Sequence, residues 1–158
     1  MKRIHVVGGY VVYNKCVLLA LHNKLHRWVP VGGVVDENEL PETAVVREIK
    51  EETGLDAILY TANQLVGFDN YACPLCPPYR MQLLKINDDL EYIDYVYFCR
   101  ANTDVLNIQE DELDDLKWFT REDLQNFPLA PHVKYLGEMA IDCFENSKLQ
   151  VYNNLVGN

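Results

Sequence analysis

Apolar positions in this chain recur with two periods. Ile4 to Tyr13 (IHVVGGYVVY) is rich in β-branched and aromatic residues and predicts a strand, with Gly8-Gly9 marking a bulge or a close backbone approach. Asn14-Lys15 reads as a two-residue turn, and Cys16 to Leu21 (CVLLAL) as the returning strand of a hairpin. His22 to His26 is a polar loop, and Arg27 to Val31 leads into Gly32-Gly33. Thr43 to Thr53 has no Gly or Pro and predicts a helix, with Pro41 in its first turn and Gly54 as its stop. Its N-terminal cap is weak, because neither Glu39 nor Leu40 is a favoured capping residue.

Leu55 to Phe68 predicts one or two strands around Thr61-Ala62-Asn63. From Asp69 to Leu90 the pattern fails, and Pro74, Pro77 and Pro78 break regular pairing. Such an insertion is expected near a binding site, with Tyr79, Arg80, Gln82 and Lys85 within reach of a ligand or simply solvated. Tyr92 to Arg100 (YIDYVYFCR) is the most strand-like run and belongs inside a sheet. Asp94 interrupts it; a carboxylate there needs a partner, either a structural hydrogen bond or a place lining the site. An acidic run, Glu110 to Asp115, reads as a solvated loop before Leu116 to Phe119, and Thr120 and Asp123 are residue types that suit a helix start. Pro131 to Phe144 is a last helix with Val133, Leu136, Ala140, Cys143 and Phe144 on one side. Lys148 to Asn158 shows no pattern and reads as a fraying tail.

On a wheel of about 100° per residue, the helix after Pro41 divides. Val45, Val46, Ile49 and Thr53 fall on one side, and Glu48, Glu51 and Glu52 on the other, with Ala44 among the acids keeping that face clear of bulk. Carboxylates three or four apart repel by a few tenths of a kcal/mol per pair. A hard divalent cation reverses the sign, since Mg²⁺ takes carboxylate oxygens together with water and phosphate oxygens. The plain alternative is a solvated acidic face.

The spacing favours the first. Gly33, Glu39 and the run Arg47-Glu48-Ile49-Lys50-Glu51-Glu52-Thr53-Gly54-Leu55 fill every fixed position of G-x5-E-x7-R-E-U-x-E-E-x-G-U, U being a bulky aliphatic. The stretch resembles the Nudix box. Trp28-Val29-Pro30-Val31-Gly32-Gly33 resembles the segment that often precedes it, with the proline one place early. The resemblance implies an α/β fold, an α/β/α sandwich with a mixed central sheet and the box helix packed on it, spanning the whole chain as one domain. It implies metal-dependent hydrolysis of a pyrophosphate bond in a nucleoside diphosphate linked to another moiety, with Mg²⁺ or Mn²⁺ as cofactor.

By the same resemblance, Glu48 and Glu52 are the main metal ligands and Glu51 a further ligand or a group that orients water. Arg47 orients the carboxylates, with an ordinary i, i+4 pair to Glu51 as its simpler role. Gly32 offers its carbonyl to the metal, and Glu39 orders the loop. A later loop often adds a ligand or base, which makes Glu110 or Glu112 candidates. Trp28, Arg27 and Asp94 are the candidate substrate contacts; core packing is the simpler role for Trp28. A non-catalytic nucleotide-binding regulator on the same fold is the alternative, and relatives often form homodimers.

Composition narrows the partners. A formal charge of −10 excludes a broad basic nucleic-acid surface. No apolar run is long enough to span a bilayer and no signal peptide is evident, so a cytoplasmic location is expected. Five cysteines, an odd number, suit a reducing compartment, and Cys73-Pro-Leu-Cys76 reads as two loop thiols, since no second pair completes a zinc site. The four histidines share no spacing and read as structural or solvent-facing.

Overall fold

The computed structural model describes residues 1–62, 65–67, 69–108 and 113–146 and the backbone of 151–152. In chain order the elements are β1 (Lys2–Tyr13), β2 (Cys16–His22), β3 (Arg27–Val34), α1 (Pro41–Thr53), β4 (Ala57–Tyr60), β5 (Arg80–Lys85), β6 (Leu90–Ala101), β7 (Leu113–Phe119), α2 (Arg121–Asn126), α3 (Pro131–Asn146) and β8 (Val151–Tyr152). The strands form one mixed sheet in the order β7-β2-β3-β1-β6-β4-β8, with β5 also paired to β6. The β1–β6 pairing is parallel and the others are antiparallel. Each face carries its own core. On one, α1 packs Ala44, Val45 and Ile49 onto Val7, Val11, Val31 and Tyr97. On the other, α3 packs Val133, Leu136, Ala140 and Ile141 onto Tyr10, Val12, Val96 and Phe98. This is the α/β sandwich expected from the box.

The hairpin forms at Asn14-Lys15, both in the left-handed region (φ 44° and 65°) as a tight two-residue turn requires. The helix predicted from the box starts with Pro41 and stops at Gly54, whose φ of 76° suits a residue without a side chain. Leu40 makes no side-chain cap. Gly9 is where helix and sheet meet: a side-chain carbon there would lie 2.8 Å from Ile49 Cδ1 and 3.1 Å from Val45 Cγ2. The predicted start of α2 is a full capping box, in which the Thr120 hydroxyl accepts the Asp123 N–H and the Asp123 carboxylate accepts the Thr120 N–H.

Two expectations are corrected. The stretch between Asp69 and Leu90 is not all loop, because Arg80 to Lys85 pairs with Glu91 to Val96. Of the one or two strands expected in 55–68, Ala57–Tyr60 forms among the described residues. The tail contributes β8, with Tyr152 and Val151 paired to Leu59 and Tyr60. Cys76 lies in a loop, as expected, and is buried there. It is 2% exposed in the α1-side core, its N–H donates to the Glu42 carboxylate, and burial pushes its thiol up to about 11.

Candidate active site

The β3–α1 connection puts the glycine pair against the acidic side of the helix. Gly8 and Gly32 are register partners, as are Val7 and Gly33, so the end of β3 is held on the central strand β1. Gly32 N–H donates to Glu52 Oε2 at 3.0 Å. The Glu48 carboxylate fills the space beside Gly33, where a side-chain carbon would lie 2.5 Å from its Cδ and Oε1. Two carboxylates, one helical turn apart, thus close on a single stretch of backbone, Glu52 through the Gly32 N–H and Glu48 in the space that Gly33 leaves.

Arg47 organises the outer rim. Its Nε and Nη2 donate to the two Glu39 oxygens at 2.9 Å each, a bidentate pair. Its Nη1 reaches Glu48 Oε1 at 2.8 Å and Glu51 Oε2 at 3.1 Å, and Nη2 also donates to the Val34 carbonyl at 3.1 Å. The orienting role and the i, i+4 pair with Glu51 therefore coexist. Glu39 in turn accepts the Asp36 N–H, which closes the loop before the helix.

The acids do not share one environment. Glu51 is exposed, Glu48 is half-buried, and Glu52 is 6% exposed beneath Gly32. Ala44, expected to leave the acidic face open, is fully buried. It belongs to the core between the helix and the sheet. Glu42 went unremarked in the sequence. It is buried on the far side of α1 and holds the 72–79 segment through Cys76, while Tyr97 Oη donates to the Cys76 carbonyl at 3.3 Å.

The remaining candidates lie apart from the acids. Asp94 is 5% exposed on the α3 face, accepting from Gln82 Nε2 at 2.8 Å, and burial raises its carboxyl above the usual range. It reaches across β1 toward the notch at Gly8, where a side-chain carbon would lie 3.4 Å from Asp94 Oδ1 and 3.2 Å from Pro30 Cγ. Trp28 is half-buried, edge-on to Phe119 at 5.1 Å between ring centres. Arg27 is exposed at the start of β3, and burial, with its charge second, lowers the His132 pKa. Glu110 and Glu112 lie outside the described residues.

The profile of the NUDIX domain matches residues 2–139. The chain belongs to the Nudix family. It is 30% identical over 118 residues to an uncharacterized Nudix hydrolase, YvcI, of Bacillus subtilis, covering 73% of this chain and 65% of that protein. It is 32% identical over 73 residues to an 8-oxo-dGTP diphosphatase of Proteus vulgaris, covering 43% of this chain and 65% of that one. The matched regions span about 65% of the length of both curated relatives. A crystal structure of a NUDIX-family hydrolase from Clostridium perfringens superposes with a TM-score of 0.80 at 29% identity, covering 91% of this chain and 99% of that one.

The Nudix site has the donor chemistry for a hard divalent cation. Glu48, Glu51, Glu52 and the Gly32 carbonyl offer only oxygen. Among the described residues no three His, Cys, Asp or Glu side chains form a ready-made cage. Arg47 occupies the gap between Glu39, Glu48 and Glu51. The fit rests on the Gly33 cradle, in which the Glu48 carboxylate takes the space a side-chain carbon would need. Gly33→Ala tests it. The carboxylate sits at the end of a flexible side chain and swings away, so the fold survives while activity falls by about 10- to 100-fold. Circular dichroism and steady-state kinetics on the same preparation read both effects.

The Glu39–Arg47 pair also sets a pH dependence. The bond from Arg47 is the main reason the Glu39 carboxyl titrates below its usual value. A carboxyl lowered by folding adds stability above its ordinary pKa and loses it as pH falls through the folded value. Glu39→Gln is therefore expected to flatten the acid limb of the stability curve below about pH 4.5, as measured by urea unfolding between pH 3 and 7.

Proposed function

We propose that this Nudix protein hydrolyses the pyrophosphate bond of a nucleoside diphosphate linked to another moiety, with Mg²⁺ or Mn²⁺ as cofactor. One observation carries the reading: a complete box whose Glu48 and Glu52 close on the Gly32-Gly33 backbone. When bound, the metal supplies charge neutralisation at the phosphates and lowers the pKa of a water. Glu48 and Glu52 would hold it, with Glu51 and the Gly32 carbonyl as further oxygen donors. Arg47 holds Glu48 and Glu51 side by side through its bidentate anchor on Glu39. An acidic helix alone repels a polyanionic diphosphate, so binding and turnover both depend on the cation. The family resemblance and the curated diphosphatase relative support this class of reaction. The odd number of cysteines and the lack of a membrane-crossing helix among the described residues suit work in the cytoplasm.

The test is a panel of nucleotide sugars, ADP-ribose, dinucleotides, oxidised nucleoside triphosphates and capped ends, with Mg²⁺ or Mn²⁺ and with EDTA. Metal-dependent release of a phosphate-containing product from at least one compound is expected. No product from any of them sinks the reading.

We further infer that the organic part of the substrate lies across the Gly8 notch toward Asp94, with Trp28 and Arg27 at the β3 end of the same path. Asp94→Asn tests this placement. Burial raises the Asp94 pKa, so its charge costs stability as pH rises above the ordinary carboxylate value. Asparagine can still accept from Gln82 and carries no charge, so the variant is expected to melt higher than the parent at pH 7. If Asp94 contacts substrate, KM rises with kcat little changed. An unchanged KM removes Asp94 from the site.

A further inference from the structure

We propose that the cleft between the β1–β2 turn and the last turn of α3 is a second ligand site, for a phosphate-bearing small organic molecule. The cleft is about 880 Å³, and its lining includes Val12, Asn14, Lys15, Arg100, Phe144 and Glu145. That is the volume range of small-molecule sites. It stands away from the box carboxylates. Val12 is four residues along β1 from Gly8, roughly 13 Å, and its side chain faces α3 rather than α1.

Charge identifies the ligand. The chain carries 24 acids and 14 lysines and arginines, so a cation has many potential partners. Among the described residues, neither Lys15 nor Arg100 makes an ion pair or a side-chain hydrogen bond. Arg100 is half-buried on β6, in register with Val12 on one side and Ile58 on the other. A guanidinium flanked by apolar neighbours is costly unless an anion meets it. Glu145 does not meet that need. It is engaged by Arg121 at 3.0 Å, which also pairs with Asp142. The left-handed backbone at Asn14 and Lys15 holds the turn, and so the base of the lysine, at the mouth. A fork-shaped donor deeper in and a point charge at the rim suit a phosphate group. Phe144, edge-on to Tyr60 at 5.7 Å, gives an organic body an apolar wall. The competing role for Arg100 is to offset the negative end of α3, but it donates no side-chain hydrogen bond to that turn among the described residues.

The experiment uses the full chain in EDTA, where the acidic box has no cation with which to hold phosphate. Inorganic phosphate and AMP are titrated separately, followed by amide chemical shifts. We expect saturable shifts at Asn14, Lys15 and Arg100, with AMP binding tighter than phosphate. Lys15→Gly, which keeps an Asn-Gly turn suited to positive φ, should weaken AMP binding at least 5-fold. Arg100→Gln should weaken it at least 10-fold, and Lys15→Gly stands as the safeguard if Arg100→Gln fails to fold. No saturable shift at these residues, or AMP affinity unchanged in Lys15→Gly, overturns the site. Equal affinity for phosphate and AMP overturns the assignment of an organic ligand. None of these results bears on the metal-dependent reaction, because the titration contains no metal.

Discussion

Glu52→Gln is expected to leave the protein folded and to lower turnover by at least about 10²-fold, near 2.7 kcal/mol of lost transition-state stabilisation. The fold survives because the glutamine amide oxygen can still accept the Gly32 N–H that Glu52 Oε2 accepts at 3.0 Å. What disappears is the negative charge. Glutamine is nearly the same shape, so packing cannot account for a loss of that size. The measurement is a full kinetic profile at saturating Mg²⁺ and Mn²⁺ beside a thermal unfolding curve. Near-parental activity in well-folded variant protein removes Glu52 from the ligand set.

Gly32→Ala is expected to damage the fold itself. A side-chain carbon at Gly32 would lie 1.9 Å from the Val7 carbonyl oxygen, 2.9 Å from its carbon and 3.1 Å from Gly8 Cα. All three atoms are backbone of the neighbouring strand, and none can rotate away as the Glu48 carboxylate can from Gly33. Relief requires β1 and β3 to part where Gly8 and Gly32 pair, next to the acids of α1. The expected loss is about 3 kcal/mol or more, out of the roughly 5–15 kcal/mol that holds a domain of this kind together. Urea unfolding measures it, and a loss below about 1 kcal/mol shows that the strands are not in such close contact. The two adjacent glycines thus divide the labour, Gly32 making room for backbone and Gly33 for a carboxylate.

Why some elements could be read in advance follows from their chemistry. The box helix, the β1–β2 hairpin and α3 declare themselves through local signals: a proline at a start, a glycine at a stop, a turn pair, an apolar stripe. Strand β5 hides because it is exposed and follows three prolines. Its Met81 and Leu83 are 58% and 55% exposed, so the apolar alternation points outward and gives no core signature. The site shows the same division. The spacing of Glu48, Glu51 and Glu52 marks them as a set, but helical periodicity places all three on one open face. Only tertiary contact with Gly32 sinks Glu52 and leaves Glu51 in solvent. Glu42 was illegible for a related reason. Its partner is a backbone N–H at Cys76, 34 residues away, and no side-chain pattern announces a backbone donor.

Direct binding of Mn²⁺ to the substrate-free protein, read from the electron paramagnetic resonance of the unbound ion at neutral pH, bears most closely on what the box acids are for. Saturable binding is predicted in the parent, weakened at least about tenfold in Glu48→Gln and Glu52→Gln and unchanged in Glu122→Gln, an exposed acid of α2. Equal binding by the parent and all three variants, or none by the parent, would contradict the account.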